Sequence, residues 1–109
     1  MGIKVEISVS DFIDRYTILL LKEEHGLDVA DEIKQYKDKI NHFNKHFVSI
    51  LYSINKQLWA IENYNRQNTI TSDMTIVFND TRSAFKKQID QYYSSNIQEQ
   101  KNYENTNNG

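Results

Sequence analysis

The sequence predicts an all-α protein, and three observations carry the prediction. The chain of 109 residues contains no Pro and only three Gly, whereas a β-rich domain would need many more of the residues that punctuate turns. One stretch, Asp28–Asn68, contains neither. Within it the apolar residues repeat in sevens: Ile33, Ile40, Phe47, Ile54 and Ile61 share one heptad position. Tyr36, Phe43, Ile50 and Tyr64 fall three residues later, with Gln57 the single polar exception. A seam of that period belongs to a helix of coiled-coil type.

The elements follow in order. Ile3, Val5 and Ile7 alternate with Lys4 and Glu6, so residues 1–7 are expected to form a short extended arm. Ser8, three residues before Asp11, gives a capping-box start to a first helix. That helix runs through Lys22 and stops near His25–Gly26, where Gly accepts the left-handed conformation that closes helices. A long helix starts at Asp28 or Val29, with Asp31 and Glu32 in its first turn, where negative charge complements the helix dipole. Unbroken to Gln67 it would span about 58 Å at about 1.5 Å per residue. Residues 68–72 read as a turn. Met74, Phe78, Thr81, Phe85, Ile89 and Tyr92, at steps of three and four, then mark a third helix.

Residues 8–95 are thus expected to form a single helical domain, and the polar segment 96–109 a disordered tail. The first and third helices together match the length of the second. The expected architecture is therefore a long central helix packed by a shorter helix on each half, as two hairpins. Such a layer is only two helices thick, so the seam of the central helix should be covered by a second copy, giving a homodimer. The rival arrangement is a compact three-helix bundle with the long helix broken near Asn41–His46. It needs no partner.

Composition removes several functions. Charged residues make up 26% of the chain and the net charge is -2, so no positive excess is available for a phosphate backbone, and nucleic acid is not an expected partner. No Cys is present, which removes disulfides and thiolate chemistry and fits a reducing compartment. The longest apolar run, Ile18–Leu21, is far too short for a membrane helix, and no signal peptide opens the chain. A cytoplasmic protein without membrane contact is expected. The glycines stand isolated at positions 2, 26 and 109, so phosphate-cradling loops are absent. His42 and His46 lie one turn apart with Asp38 a turn before them, but no third ligand has a fitting spacing. Neither a metal nor a cofactor is expected.

Two polar constellations are candidate sites. Trp59, Glu62 and Arg66 share one face of the long helix, and counting outward from the turn near residue 70 brings Trp59 and Glu62 beside Val77 to Asp80. Asn79, Arg82 and Lys86 share the facing side of the third helix. An aromatic plane with a carboxylate and cations could hold a sugar ring, a phosphate or a carboxylate. The bland alternative is an interhelical polar network. The second constellation is Asp14, Arg15 and Lys22 on the first helix. There Asp11 and Arg15 could simply form a surface pair worth about 0.3–0.5 kcal/mol, whereas Asp14, between Ile13 and Tyr16, would need a partner if buried.

Three segments also resemble a family. They are Ser8–Val9–Ser10–Asp11–Phe12–Ile13–Asp14–Arg15–Tyr16–Thr17–Ile18–Leu19 with Lys22; Asn55 with Leu58–Trp59–Ala60–Ile61–Glu62 and Arg66; and Asn79–Asp80–Thr81–Arg82 with Lys86–Lys87, Ile89 and Glu99–Gln100–Lys101–Asn102–Tyr103. Over about residues 3 to 103 the chain resembles a family of small helical bacterial proteins of unknown function, often encoded near glycosyltransferase and surface-polysaccharide genes. Where that family has an acidic residue after the Ile–Glu pair and an apolar one before the Arg, this chain has Asn63 and Asn65, so no acidic chemistry transfers to the middle segment. The expectation is a non-catalytic, dimeric helical binding or adaptor protein for a protein partner or an anionic or sugar-linked small molecule. The resemblance ties it to cell-surface polysaccharide metabolism. The alternative is a small helical enzyme acting on an anionic metabolite by electrostatic positioning.

Overall fold

The computed structural model describes the backbone of residues 7–67 and 73–107 and the side chains of residues 7–64 and 73–94. Within them the chain forms α1 (Val9–Glu24), α2 (Ala30–Ile40), α3 (Lys45–Gln67) and α4 (Asp73–Asn107), without a strand. The all-α class is as expected. Of the extended arm only Ile7 is described, and the turn expected over 68–72 lies outside the described residues. None of the described helices is long and apolar enough to cross a membrane.

Local chemistry sets the ends of α1. The Ser8 hydroxyl accepts the Asp11 N–H at 3.1 Å, satisfying one of the donors a helix start leaves free. At the other end Gly26 has φ +86, and the N–H groups of Gly26 and Leu27 donate back to the carbonyls of Glu23 and Lys22, each at 3.0 Å. This is a Schellman closure, which favours Gly because it needs the left-handed region.

The long central helix is not continuous. It divides into α2 and α3 at a turn over residues 41–44, the place at which the rival arrangement broke it. Asn44 accounts for the restart: its side chain accepts the His46 N–H at 2.8 Å, and its own N–H donates to the Tyr93 hydroxyl at 2.9 Å. The corner is therefore capped from within and tied to α4. A second difference lies at the other end, where α4 continues helically to Asn107 through the segment read from sequence as a disordered tail. No Gly or Pro interrupts residues 73–107.

The helices run up, down, up, down. Ser10, Asp11 and Asp14 meet Asp90, Lys86 and Arg82 in falling order, so α1 and α4 are antiparallel. Asn55 meets Asp14 and Thr17 while Trp59 meets His25, so α1 and α3 run parallel. Among the described residues α1 packs against all three other helices, and α2 packs closely only against α1. Ile13, Ile40, Leu51 and Ile89 form the main core, enclosed by Phe12, Phe43, Phe47, Phe85 and Tyr93. Each such buried aliphatic contributes roughly 1.5–3 kcal/mol. Leu19, Val29 and Ile33 form a smaller cluster that holds α2 to α1.

The heptad seam foretells burial only before the break. Ile33 and Ile40 are buried, but Ile50 and Tyr64 are 43% and 51% exposed and Gln57 is exposed. The fully inward positions of α3 are Leu51, Asn55 and Leu58, each one residue past a seam position. Because α3 is a new helix, it takes its own phase. Before the break the seam is thus covered within the chain by α1, and after it Ile50 and Tyr64 stay open.

Candidate functional site

The polar residues of α1 point inward at positions 10, 14 and 17, one face of a helix, and each meets a partner on another helix. Asp14 is 3% exposed. Arg82 grips its carboxylate with two nitrogens, Nε at 2.9 Å to Oδ1 and Nη2 to Oδ2, the fork geometry that only Arg supplies. The Asn55 amide donates to the same Oδ1 and to the Thr17 hydroxyl, both at 2.9 Å, and that hydroxyl donates to the Asp14 carbonyl at 2.7 Å. A buried charge is tolerable only when paired and hydrogen-bonded in this way. The Arg82 guanidinium is held more firmly protonated than usual, first by its hydrogen bond to Asp14, against the opposing effect of burial, and then by the charges of Asp14, Asp11 and Glu62.

Three further bonds extend the array along α1. Lys86 donates to Asp11 at 2.6 Å, and this bond holds the Asp11 carboxyl below its ordinary range, with the Ser8 hydroxyl and the Arg15 charge adding to the effect. Asp90 accepts from the Ser10 N–H at 3.0 Å and the Ser10 hydroxyl at 2.7 Å. A side chain of α4 thereby helps cap α1. Elsewhere Glu24 accepts the Tyr52 hydroxyl, which raises that phenol above its usual value.

The structure regroups the residues predicted from sequence. Arg82 and Lys86 turn to Asp14 and Asp11, not to Trp59. The Trp59 ring stacks on His25, centroids 4.5 Å apart and planes at 25°, so one indole face is covered by the C-cap of α1. Glu62, Asn79 and Asp80 are exposed, Glu62 near enough for its charge to act on Arg82. The Arg66 side chain lies outside the described residues. Asp14 separates from its sequence companions, since Arg15 and Lys22 line an open groove of about 300 Å³ between α1 and α2. His42 and His46 fall on either side of the start of α3, which destroys their one-turn spacing. Among the described residues no group of three His, Cys, Asp or Glu side chains could hold a metal ion.

Sequence reasoning missed Asn55, Thr17, Ser10 and Asp90 as members of the array. For Asn55 a signal existed, because it stands between Leu51 and Leu58 at helical spacing, a polar residue on an apolar face. Chemically the array is closed: every carboxylate in it already accepts from a partner. Comparison of the chain with family models, curated proteins and solved structures finds no match in any of the three.

Proposed function

We propose that the protein is a non-catalytic helical binding or adaptor protein that acts as a homodimer, with α4 as its docking helix. One observation carries the reading. Met74, Val77, Thr81 and Ala84 follow one another on α4 at steps of three and four and are all exposed, beside the row of Phe78, Arg82, Phe85 and Ile89 that faces the bundle. The Thr81 hydroxyl donates to the Val77 carbonyl at 2.9 Å, which leaves its methyl group to join the stripe. Ile76 and Tyr64, 55% and 51% exposed, add apolar surface at the same end of the α3–α4 hairpin.

Charge favours a second copy of this chain as the occupant. Asp73, Asp80 and Lys87 flank the stripe at intervals of seven. An antiparallel pairing of two α4 helices, centred at residue 80, would set Asp73 of each beside Lys87 of the other. Of the charged residues offered for electrostatic catalysis, Asp14, Arg82 and Lys86 are engaged in ion pairs within the bundle, which supports the non-catalytic role. The three-segment resemblance supplies the setting of this proposal, surface-polysaccharide metabolism. Light scattering during size exclusion tests the dimer. We expect a dimer at high micromolar concentration that Val77→Asp converts to a monomer with unchanged circular dichroism. A strict monomer for the unaltered chain overturns the proposal.

A further inference from the structure

We infer that the groove between α1 and α2 binds a small dicarboxylate bearing an ammonium group, with Arg15 and Lys22 receiving the carboxylates and Glu32 the ammonium. These three charged residues line the groove together with Ile18, Gln35 and Tyr36. Its volume of about 300 Å³ stands at the lower end of small-molecule sites, which suits an acidic amino acid better than a nucleotide. None of the three closes an ion pair among the described residues, although the Arg15 charge reaches Asp11. Among the described residues the ion pairs are Arg82–Asp14 and Lys86–Asp11, so Arg15, Lys22 and Glu32 share one groove without pairing with one another. Opposite charges that line one groove and do not close on each other are complementary to a ligand that brings its own two signs.

The supporting surface is already fixed. The Tyr36 ring packs 4.7 Å from Phe12 and 6.3 Å from Tyr16 between centroids, so it offers a rigid floor rather than a mobile flap, and Ile18 extends that floor. Two cations against one carboxylate leave a net positive groove, which matches a ligand with two carboxylates and one ammonium. Gln35 can orient either group through its amide. Because α2 packs closely only against α1, a ligand bridging the two would also restrain α2.

The test uses the full chain and follows amide NMR shifts during titration with L-glutamate, with glutarate, which lacks the ammonium, and with inorganic phosphate. We expect saturable shifts across residues 15–22 and 32–36, tightest for glutamate, together with slowed amide exchange in α2. Arg15→Ala and Lys22→Ala should each weaken binding about tenfold or more, the scale of one hydrogen bond to a charged group. Glu32→Gln should bring glutamate to the level of glutarate. Shifts that do not saturate, or that survive both cation substitutions, overturn the site, and equal affinity for glutamate and glutarate in the unaltered chain overturns the role of Glu32. The stripe on α4 is separate from this groove, so light scattering on the same samples reports independently on the dimer.

Discussion

Replacing Arg82 by Met should destabilise the protein by about 3 kcal/mol, because it strands the Asp14 carboxylate inside the bundle. Breaking a buried ion pair from one side costs roughly 3–5 kcal/mol. The lower end applies here, since the Arg82 side chain is 29% exposed and Asn55 continues to donate to Asp14 at 2.9 Å. The reverse substitution, Asp14→Asn, should cost less, about 1–2 kcal/mol. A stranded Arg82 can lean toward water, whereas the Asp14 side chain, 5% exposed, cannot. The asymmetry is the structural content of the prediction. Urea unfolding followed by far-UV circular dichroism at neutral pH measures both values. A loss below about 1 kcal/mol for Arg82→Met would be the behaviour of a surface pair. That result, or a larger loss for Asp14→Asn than for Arg82→Met, would refute the account of a desolvated carboxylate held by one guanidinium.

Three further outcomes follow from other parts of the molecule. Lys86→Met should cost under about 1 kcal/mol, because Asp11 and Lys86 remain 44% and 24% exposed. Since Lys86 lowers the Asp11 carboxyl in the folded state, the stabilisation is present at neutral pH and is lost as pH falls below the ordinary value of 3.8. Unfolding midpoints of the variant and the unaltered chain should therefore converge in acid, and a gap that widens there contradicts the pairing. Gly26→Ala should cost about 1–2 kcal/mol through the left-handed backbone alone, as an added Cβ would meet nothing within 4 Å; unchanged thermal stability would show that the Schellman turn relaxes freely. In an antiparallel α4 pairing Asp80 falls beside its own symmetry mate, so Asp80→Asn should tighten the dimer when dissociation is followed by dilution, and a weakened dimer would exclude that register.

The sequence marked those features whose causes are local. Ser8 and Gly26 announce the ends of α1 because a cap needs a hydroxyl within three residues and a closing turn needs a residue free of Cβ. The break in the long helix was legible only as an alternative. Asn41 and Asn44 are poor helix residues, yet the apolar repeat runs through them undisturbed, and a repeat cannot reveal that the chain reverses while keeping its hydrophobic face. The phase of α3 was lost with the break, which is why Gln57 looked like the polar intruder and Asn55 did not. The partner of Asp14 was not legible at all. Sixty-eight residues separate it from Arg82, and periodicity carries no information about which charged face of α4 would meet which turn of α1.

Those unpredicted contacts explain why α1, rather than the longer seam, holds the fold in register. Apolar packing between helices tolerates a slide of one turn, since positions spaced by threes and fours meet similar neighbours after it. Ser10, Asp14 and Thr17 do not tolerate it. A slide of α4 by one turn would take Asp90 from Ser10 and Arg82 from Asp14 together, stranding a buried carboxylate and a helix-capping donor, and a slide of α3 would leave the Thr17 hydroxyl without Asn55. Polar residues inside a helical bundle thus select one alignment among several of similar hydrophobic quality. That alignment turns Phe78, Phe85 and Ile89 inward and leaves Met74, Val77 and Ala84 outward. The network consequently fixes which surface of α4 stays exposed while its own charged groups remain engaged with one another.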